Sequence, residues 1–336
     1  KSANWLQDSL MSHSLPLCAR QMKKKVKRLP ENFRFGSTPL YHFYSTGEKP
    51  EADGVRRTTE NCIELETFSN SNKAGAAHFI GLSIIVTTLT ILLGMSAIGF
   101  EKITRETTIT AFLIALFPPM IGGAFYFLSG NHRCRGSFIR IHRGTRKVYY
   151  IFPGQKELHI LDWDQLEALA GYIPIISGSI NTSRHPLYLV GIDHAMKPPT
   201  EICLCCGNLG IYDGDRSAKS LWSYLQHFMA NGPDGLPEPP PLPARMTRKQ
   251  ATLRHFQEWK SALNNSLSSR RGKRWAPIRL PVRVFWLFWH IFPQCLAEFI
   301  QYNVPYTQFP REIDELCGFV QKRKTIIRVN GKRVDG

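Results

Sequence analysis

The side chains best suited to chemistry gather in two places. Cys203-Leu204-Cys205-Cys206 is a metal-like cluster, with His194 the nearest further donor. A structural zinc site takes paired ligands with a second pair at a distance. That second pair is missing here, and the run reads as a strand in which cysteine serves as a small buried residue. Asp162, Asp164, Asp213 and Asp215 are the acids that could pair for hydrolytic acid–base work. Asp213-Gly214-Asp215 reads instead as a turn before a helix, its carboxylates favouring the positive N-terminal end. The sequence holds no phosphate-binding loop, Gly-x-Ser-x-Gly elbow, His-Glu-x-x-His helix or dinucleotide fingerprint. The expectation is a protein without a catalytic residue, cofactor or metal site.

The elements around these residues carry a clearer message. The 336 residues include 43 Lys+Arg against 26 Asp+Glu, a net charge of +17, with 43% hydrophobic and 21% charged residues. That balance excludes global disorder, and 8 cysteines are too sparse for a disulfide-stapled scaffold. No sustained heptad or fixed repeat occurs. Lys1 rather than Met opens the chain, which leaves room for a targeting segment upstream. Two stretches lack Asp, Glu, Lys and Arg altogether: Gly75 to Phe100 and Thr107 to Gly130. Crossing about 30 Å of hydrocarbon takes roughly 20 helical residues, so each is long enough. The loop Glu101-Lys102-Ile103-Thr104-Arg105-Glu106 is so short that the two helices must be antiparallel neighbours. Ala77 and Gly81 on one span, and Ala111 and Ala115 on the other, have the four-residue spacing that permits close helix approach. Pro118-Pro119 predicts a kink or local unwinding of the second span. The spans carry no mid-span acid or base, which argues against a transporter.

The flanks set the orientation. Arg133, Arg135, Arg140, Arg143, Arg146 and Lys147 follow the second span, and a lysine cluster with Lys23, Lys24 and Lys25 lies upstream, while the loop has no positive excess. By the positive-inside rule both termini are cytosolic.

The predicted fold class is α+β: a transmembrane hairpin, then a small, mostly β cytosolic domain, then a basic helical tail. Residues 1–73 read as a basic, partly ordered arm, 74–130 as the hairpin (spans about 75–100 and 107–128), 131–230 as the α+β domain, 231–243 as a Pro-rich spacer and 244–336 as the basic helical region. In the domain, Phe138–His142, Lys147–Phe152, Glu157–Trp163, Leu187–Ile192 and Glu201–Cys206 alternate as strands. Ser217 to Met229, with Leu221, Trp222, Leu225 and Phe228 at helical spacing, reads as a closing helix capped by Ser217. That order of elements suggests a pleckstrin-homology-like arrangement. In the tail, Thr247 to Asn264 reads as a basic amphipathic helix. Arg274, Trp275, Trp286 and Trp289 then combine arginine with tryptophan as membrane interfaces do, which predicts an in-plane helix or a surface packed on the hairpin, with a third crossing by residues 284–302 as the alternative. Lys23, Lys24, Lys25, Arg133 and Arg135 join them as candidate lipid contacts. A nucleic-acid role would need a groove-reading motif or interleaved aromatics, and neither is evident.

Certain motifs point to relatives. The hairpin followed by Arg143-Gly144-Thr145-Arg146-Lys147-Val148-Tyr149, then Asp162-Trp163-Asp164, resembles an uncharacterised family of two-span inner-membrane proteins of Gram-negative bacteria associated with type VI secretion effector and immunity loci. Trp222 with Gly232-Pro233 and Leu236-Pro237, and Phe309-Pro310-Arg311-Glu312-Ile313-Asp314 with Cys317-Gly318, fit the same pattern. The similarity covers roughly residues 70–320, marks Arg146, Lys147, Tyr149, Asp162, Trp163, Asp164 and Trp222 as domain-signature residues, and carries over no active site. It implies a link to interbacterial competition. The leading expectation is a non-enzymatic, membrane-anchored binding protein, an immunity or accessory protein with a protein partner. The alternatives are a membrane-perturbing effector and an anionic-lipid-binding protein.

Overall fold

A computed structural model describes residues 26–98, 104–177, 180–208, 210, 213–242, 246–319, 327–329 and 332–334. Strands β1 (Thr38–Leu40), β2 (Val55–Thr58) and β3 (Cys62–Glu66) lead into helices α1 (Phe68–Ile98) and α2 (Arg105–Leu128). Strands β4 (Phe138–His142), β5 (Lys147–Ile151), β6 (Leu158–Asp162), β7 (Glu167–Ala170), β8 (Ile173–Ser177), β9 (Ile180–Arg184), β10 (Leu187–Asp193) and β11 (Thr200–Cys205) follow. Helix α3 (Arg216–Asn231) then packs on the sheets. The protein is thus mixed α+β, with two helices long and apolar enough to cross a membrane, Ala77–Gly94 and Thr108–Leu128.

Two antiparallel sheets form the domain: a five-stranded one in the order β2-β3-β4-β5-β6 and a four-stranded one in the order β1-β7-β10-β11. Because side chains alternate along a strand, Ile63, Leu65, Ile139, Ile141, Val148 and Leu161 face one way, into a core shared with Trp222, Leu225 and Phe228 of α3. Cys62, Phe138, Tyr149 and Ile151 face the other way, beneath Phe309, Ile313 and Cys317 of the C-terminal region. With both faces covered, every residue of β4 is buried, including Arg140 and His142.

The sequence reading is corrected at the N-terminal arm. Residues 38–66 contribute three integral strands: β1 pairs with β7, and β2 and β3 extend the sheet of β4. The hairpin therefore does not precede the domain. It is inserted between β3 and β4, which pair directly from Cys62↔His142 to Glu66↔Phe138. Asn70, in the first turn of α1, clips the two legs together. Its Oδ1 accepts from the Ser137 N–H at 3.0 Å, and its Nδ2 donates to Ser137 O at 2.9 Å and to Glu66 at 2.6 Å. Gly136 leaves the room this needs, since a Cβ there would stand 2.0 Å from Asn70 Oδ1.

Helix α2 continues unbroken through Pro118 and Pro119, so the expected unwinding is not seen. Of the small residues, Ala77, Gly81 and Ala115 are buried and Ala111 is half-buried; Gly81 packs on Pro293 of the C-terminal region rather than on α2, while Gly122 lies against Ser83 and Ile80 of α1. Most of the other apolar side chains on both helices are exposed, among them Leu93 at 70% and Phe117 at 66%.

Ser217 is not the cap of α3. Asp215 holds the N-cap position, while Ser217 donates to Asp53 at 3.2 Å and accepts from Asn208 at 2.9 Å. Beyond the Pro-rich segment, α4 (Arg248–Ser268) starts in a capping box of Thr247 and Gln250. A long helix then runs as α5 (Arg270–Trp286), a π-helical turn (Leu287–Ile291) and α6 (Phe292–Gln301). It packs on α4 and, through α6, on α1. The chain closes with α7 (Arg311–Leu316) and a short pair, β12 (Ile327–Val329) with β13 (Lys332–Val334).

Candidate functional site

The domain-signature residues meet at the end of the sheet farthest from the hairpin. β3 enters α1 at Glu66, so the Cys62, His142, Lys147 and Asp162 ends of β3–β6 are distal. Arg146 turns the β4–β5 connection with φ +50°, a left-handed conformation that a non-glycine residue adopts at a cost. Its guanidinium pairs with Asp164, and its carbonyl accepts from the Trp163 N–H at 3.0 Å. The side-chain hydrogen bond between Arg146 and Asp164 raises Arg146 and holds the Asp164 carboxyl below its ordinary value. Trp163 stacks on Trp222 with centroids 5.2 Å apart, both almost fully buried. Lys147 and Asp162 face each other across the β5–β6 register, and Tyr149 is buried under the C-terminal region. These residues build the domain's distal end and converge on no reactive group.

What they support is a loop that sequence reasoning missed. His42 abuts both Trp163 and Trp222 edge-on, beside their stack, and its Nε2 bonds the Leu166 carbonyl at 2.8 Å. Gln226 Nε2 donates to the carbonyls of Tyr41 at 2.8 Å and His42 at 2.9 Å, and Trp222 Nε1 donates to Tyr41 O at 3.3 Å. With its backbone held this way, the loop turns Tyr41, Phe43 and Tyr44 outward; Phe43 is 98% exposed and Tyr44 71%. Rigid aromatics in water are the type of residue that anchors protein interfaces. The available signal was Tyr41-His42-Phe43-Tyr44 itself, four ring-bearing residues in succession.

A second missed feature is a buried charged centre. Glu64 is fully buried and accepts from Arg56 at 2.6 Å, Arg57 at 2.8 Å and Arg140 at 2.9 Å. Burial alone would push its carboxyl up; the hydrogen bond from Arg57 and the charges of Arg57, Arg140 and Arg56 outweigh this and hold it below the usual range. Arg140 continues to Asp314 at 2.6 Å and lies 4.0 Å over the Phe309 ring, so the C-terminal region docks on this centre.

Between the domain and the helical region lies a cleft of about 1120 Å³ lined by Arg56, Glu66, Arg135, Arg254, Glu298 and Tyr302, among others. Its charges largely pair among themselves, Arg135 with Glu298 at 3.2 Å and Arg56 with Glu66 at 3.8 Å. Arg135 is thereby held against protein, also lying over Tyr306, whereas Arg133 is exposed. Arg274, Trp275, Trp286 and Trp289 are exposed on the long helix. Lys23, Lys24 and Lys25 lie outside the described residues.

Cys203 and Cys205 share one face of β11, and burial pushes the Cys203 thiol up to about 12. Among the described residues no group of three His, Cys, Asp or Glu is placed to hold a metal ion. His159 and Asp193 form a buried pair at 2.9 Å, and among the described residues His159 Nε2 has no hydrogen-bonding partner.

These features define a sheet-rich protein with an apolar helical pair set between neighbouring strands. Residues 124–320 match the model of DUF6708, a family of unknown function, and since this is more than half of the chain, the protein belongs to that family. The matched residues run from the end of α2 through α7; β1–β3 and α1 precede them. No curated protein matches the chain, and no solved structure does.

Proposed function

We propose that this chain is a non-enzymatic, membrane-anchored binding protein whose domain offers its distal aromatic loop to a protein partner. The observation that carries the reading is topological: β3 and β4 pair as neighbours, yet the apolar hairpin joins them. A domain tethered through two adjacent strands is fixed over the bilayer, with the Tyr41–Tyr44 loop at the far end of strands about 17 Å long. That separation favours a protein over the bilayer as the loop's partner. The two sheets closed by α3 are in this reading a pleckstrin-homology-like arrangement. The basic residues after α2 favour both termini on the cytosolic side, and the resemblance to two-span proteins favours the inner membrane of a bacterium. The resemblance to two-span proteins of type VI secretion loci makes a secreted effector the proposed partner and immunity or an accessory task the proposed role.

The test is expression in cells facing the effector encoded beside this gene. The chain alone should leave growth and membrane potential unchanged, protect against the effector and capture it in a pulldown. Phe43→Ser should lose capture and protection at an unchanged melting temperature. Collapse of membrane potential on induction would make the chain a membrane-perturbing effector instead. Full protection by the Phe43→Ser variant would move the partner face elsewhere.

A further inference from the structure

The long helix α5–α6 changes character along its length. At its C-terminal end it is locked to α1: Pro293 lies against Gly81, and Ala297 packs with Ala77 and Tyr126. As α1 advances from Ala77 to Gly81 its partner retreats from Ala297 to Pro293, so the two helices run antiparallel here. Toward its N-terminal end the helix is laden with charge. Arg270, Lys273, Arg274 and Arg279 are exposed, Arg283 is half-buried, and no Asp or Glu lies between Glu258 and Glu298. Large apolar side chains share this stretch in the open, Ile278 at 63%, Val282 at 64% and Phe285 at 58% exposed.

Charge and depth together decide where α5 can go. At 1.5 Å per residue, Arg283 and Arg279 stand about 15 and 21 Å along the helix from Pro293. Were α5 to follow α1 onward, the Arg283 guanidinium would sit beside Ile91, inside the apolar window Ala77–Gly94, and Arg279 just past its end, and hydrocarbon penalises a charge at such a depth. Helix α4 would be drawn in as well, since Trp259 Nε1 donates to the Arg283 carbonyl at 3.2 Å, and α4 carries Arg254, Glu258 and Lys260. Between the locked and the charged parts lies the π-helical turn Leu287–Ile291, with Pro293 just beyond it. Such turns and prolines are where helices change direction.

We propose that α5, with the part of α4 bonded to it, lies in the headgroup layer of the leaflet nearest the sheet domain. Its exposed Trp, Phe and aliphatic side chains reach the acyl boundary, and its arginines and lysines pair with the phosphates of anionic phospholipid. The proposal rests on the reading that α1 and α2 cross the bilayer. A helix with many bases, Trp275, Phe285 and Trp286, and no acid to oppose them, matches an anionic leaflet in both charge and polarity, and the contact of α6 with α1 makes this surface continuous with the spans.

The experiment uses the full chain reconstituted into phosphatidylcholine vesicles with or without phosphatidylglycerol, containing lipids brominated either near the headgroup or near the acyl end. Headgroup-proximal bromines should quench tryptophan fluorescence about twofold more than deep bromines, as for an interfacial helix. This quenchable part should vanish in a Trp275→Phe, Trp286→Phe, Trp289→Phe variant. Phosphatidylglycerol should strengthen the quenching, and an Arg270→Glu, Lys273→Glu, Arg274→Glu variant should lose that dependence. Equal quenching of wild type and the tryptophan variant would place α5 away from lipid and overturn the proposal, as would stronger quenching by deep bromines, the mark of a third crossing. Alkaline carbonate extraction of the same vesicles separates the failures. A chain retained but not quenched sinks only this proposal; a chain released sinks the spanning reading too.

Discussion

Gly81 of α1 and Pro293 of α6 touch backbone to backbone: a methyl group on Gly81 would stand 2.5 Å from Pro293 Cα. The contact joins the apolar hairpin to the C-terminal helices and has no room for a side chain. Gly81→Val should therefore part α6 from α1 while leaving the sheet domain folded. Limited proteolysis in detergent should release the α4–α6 region from the variant and preserve a resistant fragment containing β4–β11. Digestion patterns identical to wild type would show that the two helices do not depend on this approach.

Glu64 should be the most sensitive charge in the domain. Glu64→Gln leaves the guanidiniums of Arg56, Arg57 and Arg140 without their shared anion. Breaking a buried pair on one side costs about 3–5 kcal/mol. Denaturant unfolding of the detergent-solubilised chain should show a loss of that size.

The same carboxylate predicts an acid limit. Its folded pKa is depressed, so its contribution is present above the unfolded value of about 4.3 and is lost as pH falls through the folded value. Burial shifts Glu66 upward, and its contribution has the opposite sign, declining as pH rises from the unfolded toward the folded value. Melting temperature should fall below about pH 4 in the wild type. The Glu64→Gln variant should show a flatter acid limb.

Trp222 and Gln226 separate stability from loop presentation. Trp222 is fully buried and stacked on Trp163, so Trp222→Ala should cost about 3–5 kcal/mol. Gln226 is bonded to the loop's carbonyls, and Gln226→Ala should cost only about 1 kcal/mol. Hydrogen exchange over residues 41–46 should quicken in the Gln226→Ala variant while the sheet strands keep their protection.

The thiols of Cys203, Cys205 and Cys206 should be inert. Burial raises Cys203 to about 12 and pushes Cys205 and Cys206 up as well. Since thiolate is the reactive form, iodoacetamide at pH 8 should leave all three unmodified until the chain is denatured, as read by mass spectrometry.

The strands visible in the sequence are those whose partners lie close by. β4, β5 and β6 follow one another through short turns, and apolar alternation with Pro153-Gly154 marks them. α3 is equally plain from Leu221, Trp222, Leu225 and Phe228. β2 and β3 were missed because their short runs mix in Arg56, Arg57, Glu64 and Glu66, and because β4, the partner of β3, lies beyond the whole hairpin. Arg140 shows the limit of alternation: a basic residue between isoleucines reads as solvent-facing, until a segment from far along the chain brings Phe309 and Asp314 over it. The aromatic loop was illegible for a related reason. Exposed Tyr and Phe look like core residues in a sequence, and only the clamp by Trp222 and Gln226 distinguishes them.

The insertion between β3 and β4 has a consequence for assembly. β3 emerges from synthesis before the helical pair and finds its neighbour only after both helices have been made. Any arrangement leaving the pair's two ends on opposite sides of a barrier would strip the larger sheet of its middle. Completion of the larger sheet thus requires both ends of the helical pair to return to the same side.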